Sequence, residues 1–167
     1  ALMRAVNANL GPAQLIARME ASASPFPPNT AGLPVCPNVD AVSGECSCVP
    51  GQCGAGMVNA LNAVSAALAP IAVITAGGGG TQFDGSASVA ACHASIASYA
   101  WTVNGGVAIS SGAGAPQVSV ASNGSPGTLT LTVTDSAGRS DTGTVSFSAN
   151  GTVTVHAPSS AGTAATA

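Results

Sequence analysis

Four cysteines crowd one short stretch and are the densest group of reactive side chains in this chain: Cys36, Cys46, Cys48 and Cys53. Such a cluster either binds zinc through thiolates or forms disulfides. The spacing lacks the paired Cys-x-x-Cys elbows of zinc ribbons, so two disulfides formed in an oxidising compartment are the favoured interpretation. The spacing leaves the pairing open, because Cys36 with Cys53 plus Cys46 with Cys48 competes with crossed arrangements.

The remaining cysteine and the two histidines are the other groups that could perform nucleophilic chemistry. The chain has five cysteines, so two disulfides in the cluster leave Cys92 without a partner. We expect it to be a lone thiol packed in the C-terminal half, with an intermolecular bridge as the alternative. Only His93 and His156 could act as general bases, and no Gly-x-Ser-x-Gly elbow occurs. We therefore predict no catalytic residue in this chain and expect both histidines at the surface.

Three aspartates raise the question of a metal cofactor. Asp84, Asp135 and Asp141 could bind calcium, but they are scattered and belong to no recognisable calcium loop. Asp135 precedes Ser-Ala-Gly, so its side chain is more simply explained as a cap of a turn. No cofactor is predicted beyond this weak calcium hypothesis.

Aromatic residues are scarce, and this limits their use as a binding platform. Tyr99 and Trp101 are two residues apart, so on a strand they face the same side and could hold a polysaccharide or polypeptide. With only 3% aromatic residues in the chain, burial of the single tryptophan is the favoured alternative.

Charge and hydropathy restrict the partners. Only 5% of the residues are charged, lysine is absent, and the net charge is −3, which excludes a basic patch for nucleic acid or an anionic membrane. The most apolar run, residues 66–76, is too short to span a bilayer and contains Pro70. Together with the cysteines, this composition predicts a secreted, extracellular protein.

The elements that must position these groups change type near Pro70. Residues 1–69 predict three amphipathic helices around the cysteine-bearing loop, the third over residues 57–68. The first two buried stripes are predicted to be Leu2, Met3, Val6 and Leu10, then Leu15, Ile16 and Met19, with Arg18 and Glu20 outside. Such helices alone leave apolar stripes uncovered, so we expect this part to be incomplete, with the natural N-terminus upstream.

The second half predicts short strands. Residues 128–134 alternate buried and polar, with Leu129, Leu131 and Val133 on one side, and Asn150-Gly151 marks a hairpin. Several such strands over residues 70–156 predict a β-sandwich, and residues 157–167, which are mostly Ala, Thr, Ser and Gly, predict a disordered tail or linker.

Two resemblances follow from ordered motifs. Residues 1–69 combine Pro-Ala-Gln-Leu-Ile, Ser-Pro-Phe-Pro and Cys-Gly-Ala-Gly-Met-Val-Asn-Ala, and resemble the C-terminal end of the catalytic domain of subtilisin-like serine proteases (subtilases, peptidase family S8). Residues 83–88, 96–101 and 131–138 resemble a PKD domain, an immunoglobulin-like sandwich, although Asn104-Gly105-Gly106 replaces the family's Gly-Asp-Gly turn.

These resemblances imply an α+β fragment: the helical end of a subtilase α/β domain, then an all-β immunoglobulin-like sandwich. They imply a secreted bacterial endopeptidase whose Ser, His and Asp lie outside this chain, so that its main partner is the missing N-terminal part of its own catalytic domain. Alone, the chain is expected to hydrolyse no peptide bond. The alternative is a non-enzymatic extracellular module that binds a protein or polysaccharide surface or acts as a spacer.

Overall fold

A computed structural model describes residues 1–36 and 45–156. The helices are α1 (Leu2–Val6), α2 (Pro12–Ala21) and α3 (Ala60–Ala67), and a short 3-10 helix spans Gly78–Gly80. The strands are β1 (Thr75–Ala76), β2 (Gln82–Asp84), β3 (Ile96–Ser111), β4 (Gln117–Asp135), β5 (Ser140–Phe147) and β6 (Val153–Val155). The predicted tail, residues 157–167, lies outside the described residues.

Local sequence signals explain where two of the helices begin. Pro12 occupies the first turn of α2, where its missing N–H has no helical acceptor to lose. Asn59 caps α3, because its side-chain oxygen accepts a hydrogen bond from the Asn62 N–H at 3.0 Å. The third helix therefore begins at residue 60, three residues later than predicted, since Met57 pairs with Ser24 and residue 58 is not helical.

A long antiparallel hairpin organises the second half. Strands β3 and β4 pair over most of their length, β4 also pairs with β5, and β5 pairs with β6. The predicted alternation over residues 128–134 is confirmed, because Leu129, Leu131 and Val133 are fully buried while the threonines between them are half-buried. The predicted turn at Asn150-Gly151 is also confirmed, since it separates β5 from β6.

The hairpin folds over itself to enclose a core. Gly105 has a φ of +73° and a Cβ there would lie 2.4 Å from the Pro126 carbonyl oxygen, so this bend needs glycine. The hairpin tip returns to Trp101, whose backbone N–H donates to Ala113 at 2.8 Å. Beyond the bend, the start of β4 pairs with β2. This mostly antiparallel, nearly closed sheet is consistent with the expected β-sandwich.

Two clusters of buried side chains hold the chain together. The larger lies inside the sheet, where the Phe83 and Phe147 rings meet edge to face with centroids 5.8 Å apart. The smaller joins α1 and α3 to the first residues after Pro70, with Met3, Ala67 and Ile71 among its members. The change of structure at Pro70 is therefore crossed by continuous apolar packing. No helix in residues 1–36 or 45–156 is long and apolar enough to cross a membrane.

Candidate functional site

Several large apolar side chains on or beside the helices are exposed, and five of them we call the apolar helical face: Leu2, Ile16, Met19, Val58 and Leu61. Leu61 is 77% exposed, Val58 73% and Leu2 67%. Three of the five, Leu2, Met19 and Val58, line one open groove of about 460 Å³. Single exposed apolar residues are ordinary, but apolar side chains gathered along one groove, as Leu2, Met19 and Val58 are, mark a surface suited to a partner.

The orientation of α2 accounts for this exposure. Arg18 is fully buried, and its guanidinium donates to the Ala66 carbonyl at 3.0 Å and the Ala69 carbonyl at 2.9 Å. Carbonyls at a helix C-terminus lack intrahelical donors and attract cations, so the end of α3 is a favourable site for arginine. The prediction that Ile16 and Met19 are buried with Arg18 outside is therefore wrong.

The same arginine joins the helices to the sheet. Its Nη2 lies 3.8 Å from Oδ2 of Asp141 on β5, and both side chains are completely buried. That carboxylate oxygen also accepts a hydrogen bond from the Ala72 N–H at 2.9 Å. Burial lowers the pKa of the Arg18 guanidinium, and the negative charge of Asp141 opposes this shift. Asp141 therefore stabilises a buried cation across the boundary at Pro70.

Asn7 connects α1 to the same end of α3. Its side chain is buried, and Nδ2 donates to the Ala67 carbonyl at 3.1 Å and to the Ala69 carbonyl at 3.3 Å. Polar groups buried with their hydrogen bonds satisfied define a specific arrangement, because any displacement leaves a donor or acceptor unpaired. The positions of α1 and α2 are thus both defined by side chains that bind the C-terminus of α3.

The glycine-rich turn before α3 explains why this segment needs glycine. Met57 and Ser24 form a backbone bridge, with N–H to oxygen distances of 2.8 and 2.9 Å. A Cβ on Gly56 would lie 2.3 Å from the Ser24 carbonyl oxygen, and Gly56 has a φ of +148°. Two backbones therefore approach closely at Gly56, where only a residue without a Cβ fits.

The cysteine cluster forms two disulfides, as the sequence predicted. Cys36 is bonded to Cys46, and Cys48 is bonded to Cys53. The suggested pairing of Cys36 with Cys53 and Cys46 with Cys48 is therefore wrong, because each bond instead closes a local loop. Cys92 is a free thiol, and it is exposed rather than packed in the second half.

Each of the two histidines contacts a neighbouring nucleophilic side chain. His93 Nδ1 lies 3.2 Å from the Cys92 sulfur, and His156 Nε2 lies 2.7 Å from the Ser146 hydroxyl. Both rings are exposed, as expected. Within residues 1–36 and 45–156, neither histidine forms an ion pair with an aspartate or glutamate. A serine and histidine without an orienting acid and a shaped pocket do not make a triad.

The three aspartates serve separate parts of the fold. Asp84 accepts hydrogen bonds from the Ser86 N–H at 2.7 Å and from Gln117 at 2.7 Å, and hydrogen bonds from these two residues lower its pKa. Asp135 accepts two backbone N–H groups of its own turn and pairs with Arg139 at 2.7 Å. Among the described residues, these carboxylates do not form a group that could share one ion.

The two aromatic residues of β3 do not form an exposed platform. Trp101 is buried, and its indole N–H donates to the Ala115 carbonyl at 2.9 Å. Tyr99 is half-buried and packs against the same core. The expected burial of the single tryptophan is confirmed, so the polysaccharide platform considered from the sequence loses its main residue.

The role of Arg18 is the feature that sequence reasoning missed. A signal for this role was present in the sequence. The last turn of α3 contains no basic residue, and the chain has only three arginines that could supply a cation. A helix end without a nearby cation and followed by a buried proline needs donors from elsewhere in the fold.

Comparisons with known proteins identify no relative of this chain. No family model, no curated protein and no solved structure matches it.

Proposed function

We propose that this chain is the C-terminal part of a secreted bacterial subtilisin-like serine endopeptidase followed by a PKD-like, immunoglobulin-like domain. The apolar helical face carries the proposal. Arg18, the polar anchor of α2, is buried. Ile16 on α2, Leu61 on α3 and Val58, which precedes α3, are exposed to solvent. In a subtilase, helices of this position cover a central parallel sheet, and such a sheet supplies an apolar surface of the required chemistry.

The chemistry implied by this proposal takes place on residues outside this chain. A serine attacks the peptide carbonyl, a histidine takes the serine proton, an aspartate orients the histidine, and an asparagine side chain stabilises the oxyanion. None of these residues corresponds to a position here. The chain by itself is therefore proposed to be inactive, and its contribution is structural support of the nucleophile.

The support acts through α1. In the resembled family, the helix that α1 would continue carries the nucleophilic serine at its start. Asn7 follows α1 and anchors it to the Ala67 and Ala69 carbonyls, and Met3 packs in the smaller core cluster. Since a small displacement of a nucleophile greatly lowers the rate, these contacts would maintain catalytic geometry from a distance.

The proposal is tested with the full-length parent protein. It should hydrolyse casein, and a serine-directed inhibitor should abolish the activity. Leu61→Asp should greatly reduce the yield of active protease, because it places a charge in the covered interface. Val155→Asp is the control on β6, a strand that pairs with β5; this valine is 36% exposed, and the variant should retain activity. A parent without upstream Asp, His and Gly-Thr-Ser segments contradicts the proposal.

A non-enzymatic module is the second candidate. The Leu129, Leu131 and Val133 side chains fill a core enclosed by the sheet itself, which favours a unit able to act as a spacer or binding domain. Retention of the whole chain on collagen, chitin or cellulose would support a binding role. If the chain is retained on none of these three materials and the parent protein is inactive, only the spacer role remains.

A further inference from the structure

The groove of the apolar helical face borders all three helices. Leu2 on α1, Met19 on α2 and Val58 before α3 line it, and Leu61 on α3 is exposed on the same group of helices. Covering such side chains with a second apolar surface removes them from water, and this is the main driving force of protein association.

Two charged side chains accompany the apolar ones, and they have opposite signs. Arg4 on α1 lines the groove. Glu20 on α2 is one helical turn after Ile16, so it lies on the same side of that helix. Both charged side chains are exposed, and neither forms an ion pair within the part of the chain that the structure describes, whereas Arg18 and Arg139 are each paired with an aspartate. The face is thus neutral overall but presents both signs of charge.

We propose that a second copy of this chain covers the apolar helical face, in a dimer with two-fold symmetry. In such a dimer each patch meets the same patch of the other copy, so every contact between two different residues is made twice. A face with one cation and one carboxylate is complementary to itself in this arrangement. Arg4 of each copy pairs with Glu20 of the other, and the apolar side chains are buried between them. This inference goes beyond the proposed protease, in which an upstream sheet would occupy the face in place of a second copy.

The size of the face limits the strength of this dimer. Stable interfaces bury about 1,200–2,000 Å² in total, with about 20–30 residues on each side. The apolar helical face offers five large apolar side chains per copy. We therefore expect a weak, reversible dimer with a dissociation constant in the micromolar range. The two ion pairs at its rim select the orientation of the copies more than they strengthen binding.

Sedimentation equilibrium of the whole chain, from low to several hundred micromolar, tests the proposal. Cys92 is alkylated first, because it is an exposed free thiol and a disulfide between two copies would imitate the dimer. The average mass should rise with concentration and level off at twice the 15.7 kDa of the chain. Leu61→Asp should remain a monomer, whereas Val155→Asp on β6 should dimerise like the unmodified chain.

Exchange of the two charges distinguishes the two-fold arrangement from non-specific apolar association. Arg4→Glu or Glu20→Arg alone places like charges opposite each other twice per dimer, and should raise the dissociation constant at least about tenfold. The double variant Arg4→Glu/Glu20→Arg should restore it to within about threefold of the unmodified chain. Because both side chains are exposed, the circular dichroism of these variants should match that of the unmodified chain.

The proposal is overturned by a monomer at every concentration, by growth into larger oligomers, or by a double variant that dimerises no better than the single ones. Dimerisation of Leu61→Asp as tight as that of the unmodified chain also overturns it. None of these outcomes affects the proteolysis test of the parent, and an inactive parent does not affect the dimer, so the two proposals fail separately.

Discussion

Replacement of Arg18 by methionine should separate the stability of the helices from that of the sheet. The variant keeps a long side chain but removes a guanidinium that donates to Ala66, Ala69 and Pro70 and faces buried Asp141. A hydrogen bond to a charged group is worth about 1.5–3 kcal/mol, and such values do not add within one network. Removal of one member of a buried ion pair costs about 3–5 kcal/mol. We expect a loss of about 3–5 kcal/mol.

This loss is a large fraction of the 5–15 kcal/mol that typically separates folded from unfolded domains. Urea unfolding should therefore be followed by two probes, helical circular dichroism and the fluorescence of buried Trp101. In the unmodified chain the two transitions should coincide, because Arg18 and Asp141 couple the helices to β5. In Arg18→Met the helical signal should be lost at lower urea than the Trp101 signal.

Two control variants isolate the cause. Arg4→Met removes an exposed arginine that donates a hydrogen bond to the Ala8 carbonyl, and it should change stability by no more than about 0.5 kcal/mol. Arg18→Lys keeps the charge but loses the planar fork of donors, so its stability should lie between those of the methionine variant and the unmodified chain. Coincident transitions in Arg18→Met, with a midpoint equal to that of Arg4→Met, would refute the reasoning.

Three further predictions test other parts of the structure. Gly56→Ala should lower the free energy of unfolding more than Gly54→Ala, because both glycines have positive φ but only Gly56 abuts the Ser24 carbonyl. Backbone strain alone should cost about 1–3 kcal/mol at each position. Urea unfolding midpoints compare the two variants. Asp135→Ala should cost about 2–4 kcal/mol in the same assay, since it removes a buried turn cap and its ion pair; a change below about 0.5 kcal/mol contradicts this. The pKa of Asp84 is lowered in the folded state, so its charged form stabilises the fold above the unfolded pKa. This contribution is lost as the pH falls through the folded pKa. In the acid range the melting temperature of Asp84→Asn should therefore fall less steeply with pH than that of the unmodified chain, and parallel curves would contradict the assignment.

Local features of this chain followed directly from its residues. The alternation of Leu129, Leu131 and Val133 predicted a strand with one buried face, and Asn150-Gly151 predicted a hairpin, because both signals depend on near neighbours. The start of α3 was placed three residues too early, since Met57 and Val58 have the spacing of a helix, but Met57 pairs with Ser24 and Val58 is not helical. The apolar pattern could not show that a capping asparagine begins the helix.

The sequence alone determined the change from helices to strands, the presence of disulfide-forming cysteines and the burial of Trp101. Only the tertiary structure decided which cysteines pair and which way α2 faces. The cysteine pairing was open because several pairings within the one short segment are compatible with the spacing. The orientation of α2 was open because it depends on groups far away in the chain. Arg18 faces inward because its guanidinium donates to carbonyls at the end of α3, some fifty residues later in the chain. With Arg18 on the buried side of α2, Ile16 and Met19 are exposed.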